Sequence, residues 1–368
     1  MNDRVRKHFR ILLIALLASL LSATVCLGDT PGDPKTKKEI AQIRKRADLG
    51  YVQDQIELAA AYMTGRGVSQ DLSEAAQWYR RAAEAGNPDA QNQIGYFCQH
   101  GIGVPVDLDR AVHWYQLASA SGSLIGKVNL GVAYLNGMAV PKNPSTARQL
   151  FLEAAQKGEG LGAAYLGEIY LFGVSVPTDM AQAEKWFALG TRLHNPIAEF
   201  GLASLLSTAP EHDHDLPRAA ELLRLSSSKG YVPALYALGL LLANHPEFAV
   251  SPDEATAVLQ ESSLAGYWRS NVILGILARD HDPALAFYYF HLAILEGGDP
   301  VHRLLASDIA GLERRLTPAE ESARAAQGAE WLKDHPVPLL FVSRESNQMK
   351  DFPLAAIADY GGALGVGD

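Results

Sequence analysis

Cysteine is scarce in this chain of 368 residues, which contains only Cys26 and Cys98. Cys26 lies in an N-terminal segment that is predicted to be removed, as described below. The remaining thiol has no second cysteine to pair with, so a disulfide framework is excluded for the rest of the chain. Packing and hydrogen bonds must therefore hold the fold together.

Long apolar runs, polar–apolar alternation and catalytic motifs are also missing. No run of 18 apolar residues follows residue 21, so we expect no stable membrane span after leader removal. Without period-two alternation, a β-sheet is not expected. A nucleophile elbow, a zincin helix and a phosphate-binding loop do not occur. The sequence thus predicts no enzyme, with no catalytic residue, no cofactor-binding residue and no metal ligand.

Positive charge is in deficit: 32 Lys and Arg residues stand against 41 Asp and Glu residues, a formal net charge of −9. An acidic protein is repelled by nucleic acid and by anionic membrane surfaces, so neither is expected as a partner.

The N-terminus carries the features of an export signal. Basic residues precede the apolar run 11–21, and small residues follow it. The basic residues are Arg4, Arg6, Lys7 and Arg10. This order predicts a signal peptide at residues 1–28, cleaved near Asp29, and a periplasmic or secreted protein. An uncleaved leader acting as a membrane anchor is the alternative. Lipidation at Cys26 is disfavoured because Val25 stands where a small residue is expected.

Glycine recurs every 36 residues along the middle of the chain, with His194 in the one slot that lacks it. The slots are filled by Gly50, Gly86, Gly122, Gly158, Gly230 and Gly266. A fixed period of about 20 to 50 residues is typical of stacked repeat arrays. Such arrays present long surfaces and mostly bind other proteins.

Other positions of the repeat indicate two helices per unit. The residue eight positions after the glycine slot is always aliphatic, and the next residue is Gly or Ala. The residue twelve positions after the slot lies four after the aliphatic one, so both lie on one face of a helix. We expect the Gly or Ala position to let a neighbouring backbone approach closely. Later in each unit an alanine precedes a bulky pair, such as Trp78-Tyr79, which is expected in the inter-helix core. Cys98 lies twelve positions after the glycine slot of its unit and is predicted to be a small buried hydrophobe.

The helix ends are marked as well. One repeat position is predicted to supply the N-cap of the second helix in each unit. The glycine slot is predicted to supply the left-handed residue that ends this helix. The N-cap column contains Asp71, Asp107, Asn143, Asp179, Asp215 and Ser251. Asp71 with Glu74 and Ser251 with Glu254 have capping-box spacing. The loop sequence Gly-x-Gly-Val between the two helices changes after the second unit, which predicts that the later loops cannot all take one conformation.

Together these columns form a recognisable motif. In the first unit it reads Leu58-Ala59, Tyr62, Gly65, Gly67-Val68, Asp71, Ala75, Trp78-Tyr79, Ala82-Ala83 and Gly86. This pattern resembles the Sel1-like repeat, a relative of the tetratricopeptide repeat, over residues 41–334. The resemblance implies an all-α fold, an αα-superhelix (solenoid) of about seven to eight helix-pair repeats of 36 residues. It also implies a non-catalytic scaffold that bridges other envelope proteins in assembly, secretion or signalling.

The same reading divides the chain into five parts. They are a signal peptide at 1–28, a linker and capping helix at 29–49, the repeats at 50–298, a C-terminal capping helix pair at 299–334 and a flexible tail at 335–368. The seventh unit is shorter than the others, and Thr317 with Glu320 is expected to form a capping box on the last helix.

A partner is predicted to bind the concave surface formed by the first helices of successive units. Side chains that vary between units and do not face the core would contact it, and large rings among them are typical of binding hot spots. The predicted partner-binding residues are Tyr96, His100, Asn129, Tyr165, Glu168 and Phe172. Rings that merely pack on adjacent structure are the other interpretation.

An alternative function rests on the loop 211–215, which reads Glu-His-Asp-His-Asp. Its donors suit zinc or another divalent ion, so a secreted hydrolase or a metal-binding protein is the competing hypothesis. Asp215 also has a simpler role as the N-cap of its helix.

Overall fold

The computed structural model describes residues 34–208 and 215–334, and no strand occurs among them. Seventeen α-helices make this part of the chain an all-α solenoid of helix pairs, as predicted. They are α1 Pro34–Asp48, α2 Val52–Thr64, α3 Leu72–Glu84, α4 Pro88–His100, α5 Leu108–Ala120, α6 Leu124–Asn136, α7 Pro144–Gln156, α8 Gly160–Phe172, α9 Met180–Arg192, α10 Pro196–Thr208, α11 Leu216–Ser228, α12 Val232–Asn244, α13 Glu254–Leu264, α14 Trp268–Ala278, α15 Pro283–Gly297, α16 Asp299–Glu313 and α17 Pro318–Asp334.

The helices form two compact units, one ending at residue 198 and the other beginning at residue 199. The first unit contains α1–α9, and the second contains most of α10 and all of α11–α17. Within each unit, most helices pack on the helix that follows them along the chain, whereas the last helix, α17, packs on α15. Local contacts of this kind are how a repeat array builds its core.

Most of the second helices begin where the N-cap column predicts. The side chains of Asp71, Asp107, Asn143, Asp179 and Asp215 each accept a hydrogen bond from a backbone N–H in the first turn. The capping box at Asp71 is incomplete, because the Asp71 N–H donates to the Tyr62 carbonyl at 2.9 Å. The equivalent N–H groups of the next three repeats donate in the same way, so this bond ties each loop to its first helix.

Ser251 is an exception to the cap prediction. Helix α13 begins at Glu254, and its N-cap position is Asp253, which makes no side-chain capping bond. The Glu254 carboxylate instead accepts from the Val250 N–H at 2.7 Å and from the Arg224 guanidinium at 2.8 Å. The prediction of a Ser251 cap was therefore wrong. The Glu254 carboxylate, which would have completed the capping box, is instead hydrogen-bonded to Arg224 and to the Val250 N–H.

The periodic glycines adopt left-handed backbone conformations, with φ between 80° and 97°. His194 occupies the missing slot and also has a positive φ, of 57°. This confirms that the slot terminates each second helix by geometry, whichever residue fills it.

The loops between the helices of a pair differ as expected only late in the chain, where the α12–α13 loop contains a 3₁₀ turn at Pro246–Phe248. Ala139 and Ser175 replace the second glycine of the loop motif, yet their φ values are 51° and 59°, close to the 66° of Gly67 and Gly103. The third and fourth loops therefore keep the conformation of the first two, although a left-handed residue with a Cβ costs roughly 1–2 kcal/mol. The fifth loop lies outside the described residues.

The Gly or Ala column accommodates a side chain of the same repeat rather than a neighbouring backbone. A Cβ placed on Gly131 would lie 2.6 Å from Phe151 Cε1, and one on Gly95 would lie 2.8 Å from Tyr115 Cε1. Both rings are fully buried. The second residue of each bulky pair is thus a core residue, and it fits only because the Gly or Ala position opposite it has little or no side chain.

Two later features match their sequence signals. Asp282 caps α15, the second helix of the shortened seventh pair. Thr317 and Glu320 form the reciprocal capping box, with the Thr317 N–H donating to Glu320 at 2.8 Å and the Glu320 N–H to Thr317 Oγ1 at 3.3 Å.

Cys98 is fully buried, and burial raises the pKa of its thiol. In the described ranges, no helix combines the length and apolarity that crossing a membrane requires.

A buried polar cluster lies between α13, α14 and α15 in the second unit. The Ser263 hydroxyl donates to Asn271 Oδ1 at 2.7 Å, and Asn271 Nδ2 donates to Glu296 Oε2 at 2.9 Å. Burial raises the pKa of Glu296 to about 8, and the Asn271 bond opposes that shift. Burial thus favours the protonated form of the Glu296 side chain.

Candidate functional site

First helices of neighbouring repeats lie side by side in the first unit, with α4 against α6 and α6 against α8. We call the side chains that occupy three repeated, non-core positions on these helices the inner face. It consists of Gln93, Tyr96, His100, Asn129, Val132, Asn136, Tyr165, Glu168 and Phe172. All are half-buried except Asn136, which is exposed. All six predicted partner-binding residues belong to it.

The α4 part of the inner face is organised by one ring pair. The Tyr96 and His100 rings are 4.2 Å apart between centroids, with planes inclined by 42°. Tyr96 also packs against the core of the first repeats, and burial raises the pKa of its hydroxyl. Tyr96 therefore presents a ring whose orientation is fixed before any partner arrives.

A hydrogen bond joins neighbouring repeats across the inner face. Asn129 Nδ2 on α6 donates to Asn92 Oδ1 on α4 at 2.8 Å. Asn92 was missed at the sequence level, although a signal was present. The equivalent positions in the adjacent repeats carry the apolar residues Ile56 and Val128, so a polar residue in that column is unusual.

The α8 part of the inner face combines two rings with a carboxylate. The Tyr165 ring stacks on Phe151, with centroids 4.8 Å apart and an interplanar angle of 14°. Tyr165 consequently supports the core as well as lining the surface. Glu168 lies between Tyr165 and Phe172 along the helix, and burial raises the pKa of its carboxyl to about 8.

A cleft of about 600 Å³ lies beside α1 and is lined by residues of α1, of the α2–α3 loop and of the adjoining ends of α2 and α3. Two of its charged groups, Arg44 and Asp71, already serve the fold. The Arg44 guanidinium lies 5.3 Å from the centre of the Tyr62 ring, and Asp71 caps α3. The lining shows no nucleophile paired with a base, so this cleft does not favour a catalytic interpretation.

The loop 211–215 is largely outside the described residues, so its metal-binding prediction stays untested. Asp215 is described, and its side chain accepts from the Arg218 N–H at 3.3 Å as the cap of α11. Across 34–208 and 215–334, the His, Cys, Asp and Glu residues form no group of three suited to a metal ion.

The repeat geometry agrees with a comparison against known protein families. The Sel1 repeat model matches more than half of the chain, at residues 52–87, 88–123, 126–159, 161–195, 196–231 and 274–298. The chain belongs to the Sel1 repeat family. Four of these six Sel1 matches fall within the first unit, which carries the inner face. Between residues 232 and 273 no Sel1 match was found, yet α12 and α13 still form a packed pair there.

One solved structure of a Sel1 repeat protein shares the fold, and two others show a weaker likeness. A Sel1 repeat protein from Oxalobacter formigenes is 23% identical, with a TM-score of 0.53, covering 62% of this chain and 99% of that one. A protective antigen of uropathogenic Escherichia coli, described as displaying an SLR fold, is 21% identical with a TM-score of 0.45. The match covers 85% of this chain and 75% of that one. A Sel1 repeat protein from Klebsiella pneumoniae is 23% identical with a TM-score of 0.39. The match covers 55% of this chain and 98% of that one. The comparison with curated proteins gave no match.

Sel1 repeat proteins generally mediate protein–protein interactions, and their fold is typically a non-catalytic scaffold. The inner face is the surface of this Sel1 chain where rings, amides and a carboxylate vary on a constant helical frame. A protein partner is accordingly what the family and the geometry together favour.

Proposed function

We propose that this protein is a non-catalytic interaction scaffold of the cell envelope, periplasmic or secreted, that binds a segment of another envelope protein on the inner face. Assembly, secretion or signalling are the processes in which such a scaffold would act. The basic and then apolar leader at residues 1–28 is the basis for the envelope location.

One observation carries the binding proposal. Three successive Sel1 repeats present half-buried rings and polar groups in the same three columns of their first helices, among them Tyr96, Asn129 and Tyr165. Half-buried rings offer a large apolar area with little rotamer freedom left to lose, which is the property that makes aromatic residues dominate binding. The Asn129–Asn92 bond and the Tyr165–Phe151 stacking hold part of this surface in place before binding.

Location is tested by sequencing the N-terminus of the protein recovered from the envelope and from the medium. Cleavage should leave a chain that begins near Asp29. A membrane-embedded product that still begins at Met1 would contradict export as a cleaved protein and favour the anchored form.

Binding is tested with a partner identified by cross-linking from the inner face. Replacing Tyr96 and Phe172 with Ala should weaken that partner at least tenfold, about 1.4 kcal/mol. The matched control replaces Gln77 and Gln116 with Ala, since both are exposed on second helices. Equal affinity in both double variants would refute the inner face as the site, and thermal denaturation separates lost binding from lost folding.

A further inference from the structure

Glu168 is the one carboxylate among the nine residues of the inner face, and it lies between two rings. Tyr165 precedes it by three residues and Phe172 follows it by four, so all three lie on one side of α8. Each is half-buried. A carboxylate between rings is a different chemical environment from the Tyr96 and Val132 side chains at the equivalent positions of α4 and α6.

Glu168 forms no ion pair with any Lys, Arg or His of the described ranges, whereas other acidic groups in the first unit do. Lys127 on α6, for example, donates to Glu153 on α7 at 2.6 Å. The shift in the pKa of Glu168 comes from burial, with no charged group contributing. The inner face thus holds a carboxyl group without a counter-ion, which burial biases towards its neutral form and whose charged form a bound cation would favour.

We propose that the segment bound on the inner face carries a Lys or Arg side chain that contacts Glu168 between Tyr165 and Phe172. This inference rests on the proposed function and specifies the partner. A cation gains from the carboxylate and also from the faces of the two rings, which attract positive charge. The net charge of −9 favours a basic segment further, because it repels acidic ones at long range.

The alternative occupants fit less well. An acidic segment would bring a second carboxylate against Glu168, which costs free energy in a half-buried site. A wholly apolar segment would leave Glu168 covered and without a hydrogen-bond partner, a further desolvation cost. Either occupant would have to offset that cost with other contacts.

The test is selection of random displayed peptides on the protein lacking its leader, residues 29–368. The wild-type protein should select peptides enriched in Lys and Arg. Glu168→Gln should abolish the enrichment and weaken a selected peptide at least tenfold, whereas Glu168→Lys should shift selection towards Asp and Glu. Glu84→Gln is the matched control, because Glu84 is exposed on α3, and it should leave selection unchanged.

The outcomes separate this inference from the proposed function. Peptides that lose affinity in Tyr96→Ala but contain no basic residue would overturn the role of Glu168 and leave the inner face as the binding surface. Peptides unaffected by both Tyr96→Ala and Glu168→Gln would overturn both proposals. Selection of no peptide at all would count against the inference as well.

Discussion

Replacing Gly131 with Leu tests the packing on which every repeat depends. Gly131 lies on α6, and a Cβ there would come within 2.6 Å of Phe151 Cε1 and 3.0 Å of Cδ1. The Phe151 ring cannot withdraw freely, because it is fully buried and stacks on Tyr165. The substitution therefore forces either the ring or the two helices to move.

The expected cost follows from this geometry. Overpacking a well-packed core costs about 1–3 kcal/mol and occasionally more, and Leu adds three further carbons beyond the clashing Cβ. Leu gains up to about 1 kcal/mol over Gly in helix propensity, which offsets part of that cost. We expect a net loss of about 2–3 kcal/mol in the free energy of unfolding. For a unit of this size that corresponds to a fall of roughly 4–12 °C in Tm.

The assay is thermal and urea unfolding followed by circular dichroism. Gly311→Leu is the matched control, because a Cβ on helical Gly311 would meet nothing within 4 Å. The control should keep or slightly raise the stability of the protein. Because repeats contribute nearly additively, Gly131→Leu should also broaden or split the transition. An unchanged Tm for Gly131→Leu, or an equal loss in both variants, would refute the assigned packing.

Three further predictions concern the turns, the caps and one buried carboxyl. Ala139→Gly should raise the free energy of unfolding by up to about 1 kcal/mol, because it relieves a left-handed alanine, and a loss in urea denaturation would contradict this. Asp107→Ala should cost about 1 kcal/mol while Ser251→Ala costs almost nothing, since only Asp107 caps its helix; equal losses would refute the distinction. The pKa of Glu296 is near 8 in the folded protein and about 4.3 in the unfolded chain. Protonation of Glu296 therefore stabilises the folded state at low pH, and this contribution is lost as the pH rises to about 8. Glu296→Gln should therefore lose less stability between pH 5 and 8 than the wild type, by on the order of 2 kcal/mol, and parallel pH profiles would disprove the assignment.

Much of the fold was predictable from the chain because a repeat samples the same physical problem several times. The glycine slot and the acidic cap column recur, so each occurrence supports the others, and even His194 adopts the glycine-like conformation. The family and the helix-pair architecture followed from those columns. Ser251 was mispredicted because a cap depends on where competing groups lie, and Arg224 is 30 residues away from Glu254.

The loops and the inner face show what a linear pattern leaves open. Loss of glycine at Ala139 and Ser175 suggested new loop conformations, but the bond from each cap N–H to the first helix holds the loop regardless. Helical spacing placed Tyr165 on the surface, yet only the folded structure shows that it also stacks on Phe151. Glu168 was predicted as a contact residue, while its lack of a counter-ion depends on every neighbouring helix.

Photo-cross-linking in living cells tests the central claim, that the inner face is where a partner binds. A photoreactive phenylalanine analogue would replace Tyr96 or Phe172 on the inner face, and Gln77 or Gln116 on the second helices, in otherwise native protein. We expect one discrete cross-linked envelope protein from the inner positions, with a weaker cross-link in Glu168→Gln, and none from the second-helix positions. The same product from the second-helix positions, with nothing from Tyr96 or Phe172, would contradict it.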